Sequence, residues 1–259
     1  MIEEPYRWVE AIANRREYIE TQLASGSPIA ALSYRDGILF VTVGHARQKL
    51  FEIYDRIAMG AIGHPGDIER LRMAAIELAS TEGFTRSAAD VSLRRLAHYS
   101  LSPLLKNAFE QIYGPPFLAR MIFAEVGATA AEDLFLRVDY DGAITANGPT
   151  ADTKAPRFSA LGGTARATEV MEALLGRDHD SSYTLNRSMK IALDAWSAGS
   201  LIAGQASGNE IPSQEMLVEH RTQKLQDAML EACVLERKRQ GPICYRPIAG
   251  EELKELIKA

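Results

Sequence analysis

Cysteine is nearly absent. The 259-residue chain has two, Cys233 and Cys244. Two cysteines build neither a disulfide framework nor a zinc knuckle, so both read as small buried hydrophobes in a reducing cytoplasm. A surplus of positive charge is also missing. Lys and Arg total 29 against 34 Asp and Glu, a formal net charge of −5, which makes the chain a poor general binder of nucleic acid. Apolar runs are short: the longest strand-like one, 38–43, falls far below the ~20 residues of a membrane span. The start, Met1-Ile2-Glu3-Glu4-Pro5, is acidic and has no apolar signal-peptide region. With no repeat, low-complexity tract or linker, 1–259 reads as one domain. A chain of this size is expected to bury roughly 70–75% of its unfolded surface and needs no metal or disulfide staple.

What is present is a blockwise pattern. Apolar residues at helical spacing predict a helix over 6–24, stopped by Gly26-Ser27-Pro28. Runs at 29–34 and 38–43 flank Arg35-Asp36-Gly37, and Asp-Gly between apolar runs predicts a hairpin. Runs at 50–54 and 57–62 follow, the latter ending at Gly63. Asp67 is expected to cap a helix to about Ser80, and Ser87 a longer one to about Tyr113, with Pro103 kinking it or marking its first turn. Strands are expected at 118–126, 134–139, 143–145 and 158–161, with a polar loop over 147–156. Helices are expected at 165–175 and 183–198, then a surface loop at 207–214 and possible helix from Met216. A strand near 231–235 and a helix at 251–257 end the chain. Hairpins in blocks and helices in blocks indicate an α+β fold, and helix pairs covering sheet faces make a four-layer α/β/β/α sandwich the natural packing.

Few residues look like chemistry. The Gly60–Gly66 stretch matches neither a dinucleotide fingerprint nor a P-loop and reads as a tight turn starting a helix. Asp178-His179-Asp180 has no spacing that would converge its side chains on a metal, so it reads as a solvated loop. Gly162-Gly163-Thr164 before a helix reads as close backbone packing rather than an anion site. The other histidines, His45, His64, His98 and His220, form no ligand pair, and there is no nucleophile elbow. Lys49 precedes a mostly apolar strand, which puts its ammonium at a strand entrance. On spacing alone it is an exposed surface lysine.

An ordered set of segments resembles a known family. Glu17-Tyr18, then Gly26-Ser27-Pro28-Ile29-Ala30-Ala31-Leu32 and Asp36-Gly37-Ile38-Leu39-Phe40-Val41 resemble the start of proteasome α-type subunits. So does Gln48-Lys49-Leu50-Phe51-Glu52-Ile53-Tyr54-Asp55-Arg56, followed by Gly63 and the helix from Asp67. Phe123-Ala124-Glu125-Val126, Tyr140-Asp141-Gly142, Ala160-Leu161-Gly162-Gly163-Thr164, 192–199 and 231–235 continue the family's order. The likeness covers about 6–258 and is closest to bacterial α subunits. The 147–156 and 206–216 segments match poorly and look like local insertions.

The resemblance implies the N-terminal nucleophile hydrolase-like sandwich. It also implies a non-catalytic subunit of a threonine-protease complex. In catalytic relatives a Thr freed by processing works with a nearby Asp and Lys. Here the corresponding positions hold Ser27, Val43 and Lys49, and an apolar Val43 cannot accept or relay a proton. The resemblance further implies that 1–26 comprise a gate segment and an N-terminal helix. Ile2 and Pro5 would belong to the gate, and Tyr6, Trp8 and Val9 would pack between neighbours in a homo-heptameric ring. Lys49, with Gly63, would line a pocket for the C-terminal carboxylate of an ATPase or other activator ring. The implied partners are β subunits, neighbouring α subunits, activators and unfolded proteins in transit, with no nucleic acid, membrane, metal or cofactor. Two rivals remain open at this point. A peptidase matured at Ser27 would lack residues 1–26, and a ring-less binding module on the same fold would stay monomeric.

Overall fold

Strand pairing begins with a tight hairpin. In the computed structural model, β1 (Ile29–Tyr34) and β2 (Gly37–Gly44) pair antiparallel with Ile29 opposite Thr42 and Tyr34 opposite Gly37. The structure describes residues 5–45, 47–111, 113–148, 155–204, 210–238 and 241–258. The hairpin loop is Arg35-Asp36, and Gly37 belongs to the strand. Gly37 is needed for a different reason than a turn: a β-carbon there would stand 2.0 Å from the Leu235 carbonyl oxygen of the neighbouring strand.

Two five-stranded antiparallel sheets form. The first runs β10 (Tyr245–Ile248), β9 (Met229–Glu236), β2, β1, β8 (Phe158–Leu161). The second runs β3 (Leu50–Tyr54), β4 (Ile57–Gly63), β5 (Ala119–Glu125), β6 (Leu134–Val138), β7 (Ile144–Asn147). Strands covered on both faces carry apolar residues at both parities, which is why 29–34 and 38–43 read as continuous runs. Ile29, Ala31, Ile38 and Phe40 meet Ile122, Ala124 and Phe135 between the sheets. Leu32, Leu39 and Val41 point the other way, onto α5 (Ala165–Asp178) and α6 (Leu185–Ala203). The second sheet's outer face packs on α2 (Pro65–Thr85), α3 (Leu93–Leu96) and α4 (Ser102–Glu110). The result is the expected four-layer α/β/β/α sandwich. Helices α7 (Gln214–Asp227) and α8 (Gly250–Lys258) pack beside α6.

Three local expectations change. His64 rather than Asp67 caps α2: its Nδ1 accepts from Gly66 N at 3.2 Å, while Asp67 accepts from Leu118 N at 2.9 Å. The long helix from Ser87 is broken. Ser87 caps a single 3₁₀ turn and Ser92 starts α3, which passes through a π-turn over Ala97–Leu101 into α4. Pro103 in the first turn of α4 has no N–H to return to Tyr99, so the ladder widens there and Ser102 N donates to Ala97 instead. Strand β10 is additional, and its Pro247 is tolerated because the strand lies at a sheet edge. Residues 149–154 and 205–209, inside the two segments expected as insertions, lie outside the described residues.

The chain begins with α1 (Pro5–Leu23), whose second half is firmly seated. Ile19 and Leu23 are buried against Phe109 and Tyr140. Arg120, buried in β5, donates to Glu20 and to Asp139 at 3.0 Å, and to the Gly163 carbonyl at 2.9 Å. Tyr140 donates to the same Glu20 oxygen at 2.7 Å. A β-carbon on Gly163 would lie 2.4 Å from the Ala24 carbonyl oxygen, so this glycine serves close backbone packing, as expected.

Candidate functional site

The ends of several elements meet at one cleft of about 770 Å³. Its walls are the segment before β1, the end of β2, the start of β3, the end of β4, the first turns of α2 and the C-terminal part of α6. Lys49 and Gly63, fourteen positions apart in sequence, line it together.

Gly63 makes the bend that admits α2. Its φ is +139°, and a β-carbon would stand 2.0 Å from the Leu118 carbonyl oxygen. The next residue, His64, donates its backbone N–H to that same carbonyl at 2.7 Å and caps α2. The glycine therefore places the helix start at the cleft, where the partial positive charge of a helix N-terminus resides.

Lys49 is held from behind. The Glu231 carboxylate accepts from the backbone N–H of Lys49 and of Leu50, both at 2.9 Å, and so fixes the start of β3. The ammonium donates to the Ser27 carbonyl oxygen at 3.3 Å and forms no ion pair with any described carboxylate. Burial lowers its pKa to about 8, partly offset by Glu231. The bland expectation of an exposed surface lysine is thus not met: the side chain is half-buried and aimed at the cleft.

Ser27 sits at the same cleft with its hydroxyl engaged. Its Oγ donates to the Val43 carbonyl and accepts from Trp196 Nε1 at 3.1 Å. Val43 is buried and offers only that backbone oxygen. Its side chain provides no general base, and Gly26, the residue before Ser27, closes the end of α1 through Gly26 N to Leu23 O at 2.9 Å.

The expected ring-facing residues are only partly described. Trp8 and Val9 lie on α1, 48% and 66% exposed. Ile2 and the side chains of Pro5 and Tyr6 lie outside the described residues. Among the described residues no group of His, Cys, Asp and Glu is arranged to hold a metal. His179 is not solvated. It is half-buried, its Nε2 lies 2.7 Å from the Ser33 carbonyl oxygen, and its ring stands edge-on to Phe158. No helix among the described residues is long and apolar enough to cross a membrane.

No protein-family model matches the chain. Whole-chain relatives do. The chain is 32% identical over 251 residues to the proteasome subunit alpha of Actinosynnema mirum, covering 96% of this chain and 85% of the relative. It is 33% identical over 253 residues to that of Mycolicibacterium vanbaalenii, covering 96% and 87%. The chain belongs to the proteasome α-subunit family. The subunit of Streptomyces avermitilis is 30% identical over 252 residues, again 96% of this chain and 88% of the relative. As a proteasome α subunit the chain is a non-catalytic, outer-ring component of the core particle, associated with β subunits and other subunits of the complex. The engaged hydroxyl of Ser27 and the apolar Val43 beside it are consistent with that assignment.

Sequence reasoning missed Trp196, Arg47 and Lys224, which line this cleft, and Glu231, which holds Lys49 from behind. They come from α6, the β2–β3 connection, α7 and β9, and no local pattern marks them. Ser27 and Val43 are linked in advance by the family resemblance, and the register of β1 on β2, with Ile29 opposite Thr42, brings them together.

Proposed function

We propose that this α subunit forms a closed homo-heptameric ring that gates the core particle and docks an activator ring through the Lys49 cleft. The observation that carries the docking is the Lys49 ammonium, half-buried at the cleft with no carboxylate ion-pair partner among the described residues. A peptide C-terminus supplies the missing anion. Truncating one partner of such a desolvated pair costs about 2–5 kcal/mol. Repeated pockets around a ring turn modest single-tail affinities into avidity. Gly63 supports the pocket by holding the first turn of α2 against it. The activator is an ATP-driven unfoldase or another ring with free C-terminal tails, and unfolded polypeptide passes through the ring in the cytoplasm.

The chain acts as one domain, with residues 1–26 as gate segment and N-terminal helix. Exposed Trp8 and Val9 on a helix otherwise anchored by Glu20, Ile19 and Leu23 favour burial against a neighbouring subunit. Tyr6 joins them, and Ile2 and Pro5 belong to the gate at the axial opening.

The test is Lys49→Ala in the assembled core particle. Rings form as in the wild type, and activator-stimulated peptide hydrolysis is lost. Unchanged stimulation overturns the docking role.

A further inference from the structure

The cleft holds more positive charge than one terminal carboxylate requires. Among the described residues its ionisable lining consists of Lys49, Arg47, Lys224, His45 and one acid, Glu69. Glu69 is already neutralised by Arg72, which reaches its two oxygens at 2.7 and 2.8 Å. Glu231, the nearest carboxylate behind Lys49, spends its oxygens on the backbone of Lys49 and Leu50. Neither Arg47 nor Lys224 forms an ion pair with a described carboxylate, and both are exposed, whereas Lys49 is half-buried. The α7 helix is held against the cleft by His45, whose Nδ1 lies 3.2 Å from the Asp227 carbonyl oxygen at the helix end. One turn back on that helix is Lys224, which also neutralises the carbonyl end.

We propose that the cleft selects doubly anionic peptide tails: the terminal carboxylate on Lys49, and an acidic side chain within the last few residues on Arg47 and Lys224. This rests on the tail-docking reading above and specifies which tails it favours. A neutral tail leaves two cations without a counter-charge. A tail with an acidic residue near its end satisfies them, while the apolar floor of Val43, Ile62 and Trp196 takes the intervening side chains.

The experiment uses the full chain assembled with its β partner and labelled decapeptides read by fluorescence anisotropy. One peptide ends Glu-Ala-Leu with a free carboxylate, and a second ends Gln-Ala-Leu. A third is the C-terminal amide of the first, and a fourth carries its glutamate at the first position. The Glu peptide is expected to bind about three- to fivefold more tightly than the Gln and displaced-Glu peptides, the worth of a partly exposed ion pair. Arg47→Gln with Lys224→Gln erases that difference and keeps the preference for free carboxylate over amide. Equal binding of the Glu and Gln peptides, with the amide still disfavoured, overturns this inference alone. Equal binding of acid and amide overturns the tail-docking reading. No binding of any peptide at millimolar concentration contradicts both. The two exposed substitutions leave the ring intact by native mass spectrometry.

Discussion

Ser27 donates its hydroxyl to the backbone carbonyl of Val43. By the family resemblance these are the positions of a nucleophile and a supporting carboxylate in catalytic relatives, and here the hydroxyl proton points at a backbone oxygen that is no general base. Trp196 occupies the other side of the hydroxyl. Ser27→Ala is therefore expected to leave peptide hydrolysis by the assembled particle unchanged. Its cost is structural, about 1–2 kcal/mol for leaving the Trp196 N–H unpaired. Denaturant titration of the variant beside a peptidase assay checks both halves.

Arg120 ties α1 to the sandwich. It is buried and shared by Glu20, Asp139 and the Gly163 carbonyl. Asp139 is half-buried, and desolvation pushes its pKa up. Arg120→Met strands both carboxylates. We expect a loss of about 3 kcal/mol, at the low end for a broken buried pair because the carboxylates are partly exposed. Glu20→Gln costs less, because it retains an acceptor for Arg120 and Tyr140. Urea denaturation orders the two variants, and ring formation follows the same order.

His179 and His220 set the stability in mildly acidic solution. Burial lowers the pKa of both below the ordinary value. The unfolded chain therefore takes up protons first, and stability present above about pH 6.5 is lost as the pH falls through that value. Glu125, Glu172 and Glu231 have pKa values raised by burial and act with the opposite sign, in the more acidic carboxylate range. The expected result is lower stability at pH 5.5 than at 7.5, with a smaller drop in His179→Gln. Higher stability at pH 5.5 contradicts the assignment.

Lys49 titrates near the working range. With its pKa at about 8, it is mostly charged at neutral pH. Tail binding through a carboxylate needs the charged form, so affinity should weaken above pH 8, by about tenfold at pH 9 for a single essential proton. Lys49→Arg keeps its charge across this range and flattens the profile. Anisotropy titrations from pH 7 to 9 read the slope directly.

The layers were legible because the strands buried on both faces spell themselves as unbroken apolar runs, as at Ile38-Leu39-Phe40-Val41. Strand β10 was not, because Tyr245-Arg246-Pro247-Ile248 is short, polar and carries a proline that only an edge position tolerates. The break at Pro103 was legible as an alternative, and the π-turn before it follows from the same missing N–H. At the cleft, Lys49 and Gly63 stood out through family resemblance, since spacing alone made Lys49 an ordinary surface residue. Trp196, Lys224 and Glu231 had no sequence signal. They come from α6, α7 and β9, and only the assembled tertiary fold brings them beside Lys49.

Native mass spectrometry of the full-length chain produced with its β partner tests the central claim most directly. A gating, non-catalytic α subunit predicts chains that retain residues 1–26, assembled in closed rings stacked on β rings. A chain beginning at Ser27, or an intact monomer indifferent to the β partner, would contradict it.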